Sequence, residues 1–522
     1  MRSTSVQEQL VQPLRVPALA TPSARPRAVP LARPAVVAWL LSLLPFALLA
    51  LLPGIPGHGL DADDYAQYLM HARALASGQP YGHILYIHSS LNPWVGPASM
   101  LPGLPVLLAP VLRLGGTALV PWVMLLVALA FVLLGGRYFA EHDRPWTGVG
   151  VALLCGLTPA VVFNATQPLS DLPFAALLWA TALVADRPGR IGAGRIAAIA
   201  ALGGAALLFR TAGVALVPTL LVLAFLRRRS GGALLALPVV IWVVAGAAAL
   251  LAVDVHQVLL IRFPHAIIWM LRRHLLLNGH AYARAFLGLQ PAALPWPAAA
   301  TALRLLALPV CLLGLGAWVR RAPGSFATVF AAIYGAMLLV LPLRDDRYLW
   351  PLLPLLAFGL VSGIHMLASL MRDRDRAVRA AFVATAAVAV LAAAGVAAQP
   401  RPVSLGDVPD GRALFAYLRE LKARGPVRVT FFKPRVLGWE LGIPAMGVFK
   451  APQAEMLREL CRKGITDVIT GAPPPGRQRG LRRLTADRPD LFQPTYANPS
   501  FRVYHFVRRC PAGDAPGSEA RR

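Results

Sequence analysis

Apolar residues run through this chain in long stretches, and polar residues cluster at the joints between them. A helix crosses about 30 Å of hydrocarbon with about 20 apolar residues. That measure predicts eleven membrane spans, at approximately 35–53, 118–138, 146–165, 170–186, 193–209, 211–226, 232–253, 302–319, 325–342, 348–370 and 378–398. The spans at 193–209 and 211–226 are short, with Arg210 between them. Residues 100–112 (MLPGLPVLLAPVL) are also apolar, but thirteen residues with three prolines are too few to cross. They fit an interfacial or re-entrant helix. The first apolar run follows 34 residues rich in Pro, Ala and Arg, without a clear small-residue cleavage site. It reads as an uncleaved anchor.

Beyond residue 398 the pattern changes: no 18-residue apolar run remains and charges are frequent. Helical periodicity covers 410–424, and helices also fit 452–463 and 480–488. Short β-rich runs lie at 427–432, 466–470 and 501–507. Helices alternating with such strands predict a small α/β domain. The expected organisation is a tail at 1–34, a transmembrane domain at 35–398 with its first outer loop at 54–117, and an α/β domain at 399–522.

Composition agrees. The 522 residues are 57% hydrophobic and 14% charged, far from a string of soluble domains. Four cysteines, at 155, 311, 461 and 510, contain no CxxC and give neither a disulfide scaffold nor a zinc site. Cys461 and Cys510 both fall in the α/β domain, as a disulfide or as two free thiols. Lys plus Arg total 51 against 24 Asp plus Glu, a net +27. On a soluble protein that excess points to nucleic acid; on a membrane protein it reports orientation. The tail and alternate short connections hold nineteen arginines, and the opposite, longer loops hold nine. The tail is therefore expected in the cytoplasm, and an odd span count places 399–522 outside.

Ionisable residues near a membrane are costly, so their positions carry information. Four groups fall on the expected outer side. Asp61, Asp63 and Asp64 precede an amphipathic helix over 66–76; they suit either a general base or an acidic helix start. Asp171 follows Ser170 where the chain re-enters lipid, beside Asn164, Thr166 and Gln167; a helix N-cap is the plain alternative. Arg210 either snorkels or holds an anion, and a deep arginine needs a partner. Arg344 and Arg347 suit phosphate, or pair with Asp345 and Asp346. Tyr348 and Trp350 are ordinary interface aromatics.

At these positions the sequence resembles the GT-C superfamily of polytopic glycosyltransferases, within it the protein O-mannosyltransferase and lipid A aminoarabinose transferase type. Asp63, Asp64, Tyr65, Gly78 and Tyr81 match the acidic pair and tyrosines of the first outer loop. Pro102, Gly103 and Pro105 match a Pro-rich segment. Ser170, Asp171, Pro173 and Phe174 match a Ser-acid-x-Pro-Phe start of a span. Phe209, Arg210 and Gly213, then Arg347, Tyr348, Leu349, Pro351 and Pro354, match two later motifs in the same order. The chain departs in carrying His88-Ser89-Ser90 where many relatives have His-Pro-Pro, Asp64 where Glu is common, and a third carboxylate at Asp61.

The resemblance implies an α-helical polytopic membrane protein of GT-C type with a small extracytoplasmic α/β domain. It implies an inverting transfer of sugar from a polyprenyl-phosphate donor to an acceptor hydroxyl of a lipid, glycan or protein. Asp63 would act as base with Asp64 or Asp61 assisting, and Asp171 would orient the acceptor or the acidic pair. Arg347, with Arg344 or Arg210, would hold the leaving phosphate, and Tyr65 and Tyr348 would line the site. A divalent metal between Asp63 and Asp171 suits carboxylate oxygens, but the sequence does not require one. No nucleic acid is expected as a partner. A bacterial inner membrane suits the Ala- and Arg-rich composition. The competing readings are a transporter, which would place ionisable groups near the bilayer midplane, and a non-catalytic scaffold.

Overall fold

The computed structural model describes residues 43–51, 63–89, 91, 100–243, 277–279, 282, 297–340, 345–371, 373–398, 404–447, 451–471 and 479–507. The expected tail, Asp61, Arg344 and Cys510 lie outside them, as does the side chain of Asp63.

The apolar runs are helical. They form α1 (Leu44–Leu51), then, after the more polar helix α2 (Asp63–Ala76), α3 (Gly103–Gly115), α4 (Val120–His142), α5 (Pro145–Gly156), α6 (Pro159–Asn164), α7 (Asp171–Asp186), α8 (Ala193–Phe209), α9 (Leu216–Leu226) and α10 (Gly232–Val243). The later ones are α11 (Pro297–Arg321), α12 (Phe326–Val340), α13 (Leu353–Ala368) and α14 (Arg374–Ala398). Among the described residues, Gly103–His142, Asp346–Ala368 and Asp375–Ala397 are long and apolar enough to cross a membrane. Helix length alone thus does not reach the expected eleven.

One span breaks, and the short apolar segment before 118 is helical as expected but runs on into the next span. The run at 146–165 breaks into α5 and α6, because Pro159 pushes Thr158 into extended backbone (φ −66°, ψ 128°). The apolar segment at 100–112 forms α3, which continues through a short 3-10 turn at 116–119 into α4. Gly116 turns the chain there with φ +63°, a conformation that favours glycine.

Small residues set the closest helix contact. A Cβ on Gly314 of α11 would lie 2.0 Å from the Gly359 carbonyl oxygen, and one on Gly363 of α13 would lie 1.9 Å from that of Val310. Gly359 and Gly363 are four apart, so one face of α13 lets the two backbones touch. At the end of this bundle near Asp186, Tyr138, Phe139, Trp179, Trp318 and Phe358 form an aromatic core; Phe139 and Phe358 stack at 4.4 Å. Beside it Asp186, at the end of α7, pairs with Arg227 at 2.5 Å and accepts from Tyr138 and from the Phe326 amide. That one carboxylate ties α4, α7, α9 and α12.

The C-terminal region has the expected α15 (Pro409–Arg424), α17 (Gln453–Arg462) and α18 (Arg479–Asp487), and strands β2 (Val429–Phe431), β4 (Asp467–Gly471) and β6 (Phe501–Phe506). It adds α16 (Pro434–Leu441), β3 (Ala445–Gly447) and β5 (Phe492–Ala497). The sheet order is β1-β3-β2-β4-β6-β5. Its edge strand β1 (Tyr86–Ile87) comes from the segment between α2 and α3 and pairs in parallel with β3. Helix α16 packs on α2, where Arg73 stacks over Trp439 at 3.7 Å. The α/β unit and the α2–β1 segment therefore share one sheet and one helix pair. Cys461 is disulfide-bonded, while Cys155 and Cys311 are buried free thiols.

Gly363→Val must overpack the α11–α13 contact. It is expected to cost about 1–3 kcal/mol and to lower Tm in detergent. Gly316→Ala, on the same α11 with open space around it, should leave Tm unchanged or slightly higher.

Candidate active site

Helix α2 starts at Asp63 and buries Tyr65, Ala66, Tyr68, Leu69 and Ala72. Two tyrosines on that face moor it to the 164–170 hairpin. Tyr65 donates to Asn164 Oδ1 at 2.9 Å, and Tyr68 shares a 2.8 Å hydrogen bond with Ser170. Burial pushes the Tyr68 phenol up to about 12, so it stays neutral. The outcome is a fixed first turn of α2 that presents Asp64 beside the start of α7.

Asp171 opens α7 with its side chain 2% exposed. The chain between α8 and α9 is extended at Arg210 (φ −147°, ψ 138°), which lets this arginine leave the helix line. Its Nη1 lies 2.6 Å from Asp171 Oδ2. The contact is ionic, since that oxygen makes no hydrogen bond of good angle. Arg210 also sits 5.3 Å from the centroid of the Tyr348 ring.

Arg347 arrives from the 3-10 turn over Asp346–Leu352. Trp179 donates to the Pro351 carbonyl at 3.0 Å and Tyr334 to the Tyr348 carbonyl at 2.9 Å, pinning the turn between α7 and α12. Asp345 accepts from the Arg347 amide at 3.0 Å and from its Nε and Nη2 at 3.0 and 2.8 Å. Partial burial pushes the Asp345 carboxyl up, but the hydrogen bonds and charge of Arg347 outweigh it and hold the group below its ordinary value. The remaining nitrogen, Nη1, lies 3.5 Å from Asp64 Oδ2. The other Asp64 oxygen accepts from Arg435 Nη1 at 2.7 Å. Arg435 belongs to α16, is 7% exposed, and lies 5.3 Å from the Tyr86 ring of β1.

The fold thus gathers Asp64, Tyr65, Asp171, Arg210, Arg347 and Tyr348 around the first turns of α2 and α7. Asp61, Arg344 and the Asp63 side chain are outside the described residues. Asp345 serves as the partner of Arg347, the plain reading of that motif. Arg435 is the residue that sequence reasoning missed. Its signal was an arginine just after a strand and a proline, in FFKPRVLGW, and only the docking of α16 on α2 gives it meaning.

Among the described residues no group of three or more His, Cys, Asp or Glu is placed to hold a metal. Asp64, Asp171 and Asp345 each face a guanidinium instead. The possible metal position between Asp63 and Asp171 falls on the Asp63 side chain, outside the described residues.

No protein-family model matches the sequence, and neither does any curated protein. Solved structures do match. ArnT from Cupriavidus metallidurans, in the apo state, aligns with a TM-score of 0.51 at 14% identity, over 92% of this chain and 97% of that one. The same protein bound to undecaprenyl phosphate aligns at 0.50 and 16% identity, over 92% and 98%. The archaeal oligosaccharyltransferase AglB from Archaeoglobus fulgidus, in complex with an inhibitory peptide and a dolichol-phosphate, aligns at 0.50 and 12% identity, over 84% and 69%. At these identities the likeness shows the fold, which this chain shares with ArnT and AglB.

Breaking a buried ion pair from one side strands a charge and costs about 3 kcal/mol or more. Asp171→Ala and Arg210→Ala are therefore each expected to lower Tm, and the double change to lower it by less than the sum of the two; a strictly additive double mutant would show the two residues to be uncoupled. The low Asp345 group contributes stability that is present above the ordinary carboxylate value near pH 3.8 and lost as pH falls through the lower folded value. Asp345→Asn should flatten the acid limb of a Tm-against-pH curve.

Proposed function

We propose that this chain is an inverting glycosyltransferase that moves a sugar from a polyprenyl-phosphate donor to an acceptor hydroxyl at the outer face of a membrane. The observation that carries the reading is the convergence of acidic and guanidinium groups at one site of a GT-C fold. Asp64 meets Arg347 and Arg435 there, and Asp171 meets Arg210. Carboxylates supply a base, and guanidinium groups stabilise a phosphate that gains charge as it leaves. The solved relatives of this fold carry undecaprenyl phosphate in ArnT and dolichol-phosphate in AglB, the donor chemistry that such a site suits.

In this mechanism the acidic pair at the start of α2 takes the proton of the acceptor hydroxyl, with Asp63 as base and Asp64 beside it. The oxygen attacks the anomeric carbon from the face opposite the phosphate. The carbon–oxygen bond to the phosphate breaks, configuration inverts, and the lipid phosphate departs with the bonding electrons. Arg347, aided by Arg210 and Arg344, holds that charge. Asp171 keeps Arg210 in place, and Tyr65 and Tyr348 line the site.

A bacterial inner membrane with residues 399–522 outside fits this assignment. The disulfide bond of Cys461 supports it, because such bonds persist in oxidising compartments.

Purified protein incubated with radiolabelled polyprenyl-phosphate sugars and membrane extract should transfer label to one extract fraction. Asp63→Asn, at wild-type Tm, should lose about 10²-fold or more of that rate, the scale of general base catalysis. Movement of the lipid across proteoliposomes without covalent transfer would assign the chain to transport instead.

A further inference from the structure

We infer that the α/β unit supplies a phosphate ligand to the site, and that the polyprenyl phosphate binds between Arg347 and Arg435 by displacing the Asp64 carboxylate. The inference rests on the donor proposed above and adds a residue, and an order of events, to it.

Two guanidinium groups reach Asp64 from different parts of the chain. Arg435 comes from α16 of the α/β unit, and Arg347 from the turn before α13. Their holds are unequal. Arg435 Nη1 donates at 2.7 Å, whereas Arg347 Nη1 stands at 3.5 Å while its other nitrogens serve Asp345. The arginines are more enclosed than the carboxylate: side-chain exposure is 7% for Arg435 and 26% for Arg347 against 34% for Asp64. The cations are thus fixed by their surroundings, and the anion between them is the accessible member. Guanidinium forks bind carboxylate and phosphate with the same paired geometry, so a phosphate is a direct competitor for the space that Asp64 fills.

Exchange has a functional consequence. While Asp64 is paired with two cations both of its oxygens are engaged. Once phosphate takes the guanidinium groups, the carboxylate is released toward the acceptor beside Asp63. The acidic pair is then at work only when the donor is in place, and donor binding precedes acceptor deprotonation. The exchange forms and breaks ion pairs only; no covalent bond changes.

The test is a titration of the full chain in lipid nanodiscs with undecaprenyl phosphate, followed by tryptophan fluorescence, with phosphatidylglycerol as the anionic-lipid control. Asp64→Asn removes the competing anion and should bind undecaprenyl phosphate about tenfold more tightly. Arg435→Gln should bind about tenfold more weakly, and Arg435→Lys should recover part of the loss. Structural damage can weaken binding but cannot tighten it, so the gain in Asp64→Asn is the diagnostic sign. Equal or weaker binding by Asp64→Asn, or unchanged binding by Arg435→Gln, overturns the exchange while leaving the donor assignment standing. A folded wild-type protein that prefers neither undecaprenyl phosphate nor phosphatidylglycerol overturns the donor assignment, and the exchange with it.

Discussion

The cost of keeping an ionised group away from water governs this molecule. A carboxylate as enclosed as Asp171 survives only beside a cation, and the chain meets that demand at both ends of α7. Asp171 opens the helix and pairs with Arg210 between α8 and α9; Asp186 closes it and pairs with Arg227 beyond α9. One helix is thereby fixed at its two ends to the same neighbouring segment. The pair near Asp186 is buttressed by the Tyr138 hydroxyl and the Phe326 amide, which suits a structural joint. Among the described residues the pair at Asp171 has no such completion, and it lies among Tyr68, Arg347 and Tyr348, groups that suit chemistry. The same interaction type thus has two uses, and its surroundings tell them apart.

How much of this was legible in the sequence follows from the range of each signal. Spans such as 193–209 and 170–186 were readable to within a residue or so, because apolar length and a polar joint are local properties. The outer motifs were readable as residue types, and four of them, around Asp64, Asp171, Arg210 and Arg347, do meet. Three features were not readable. The break before Pro159 lay inside an apolar run, where the length of the run outweighed a single proline. Strand β1 has two residues, too few for any alternation to register. Arg435 lies 371 positions from Asp64, and nothing in local pattern selects it from the other arginines of the α/β region.

The short strand has the larger architectural effect. Residues 399–522 read as an independent module, yet β1 gives their sheet its edge, and α16 packs on α2 with Arg73 over Trp439. A long edge strand left open invites unwanted pairing; here β3 is covered by β1, which leaves an edge of two residues. The union also fixes the segment that carries β1. Tyr81 reaches the Met100 carbonyl at 2.6 Å and stacks on His71 at 4.1 Å, so the chain from α2 to β1 is held along its length.

These joints explain why a soluble-looking unit belongs to the chemistry of a membrane protein. Under the proposed function a base and its counter-cations must be held to a fraction of an ångström, and one helix between loops does not do that alone. Helix α2 is braced from one side by Tyr65 and Tyr68 on the 164–170 hairpin and from the other by α16. Removing either brace would leave Asp64 on a helix supported on one face. The α/β unit therefore acts first as a wall of the site, and a wall placed this close can contribute a side chain, as Arg435 does. Fold and site are built by the same contacts, so selection for one constrains the other.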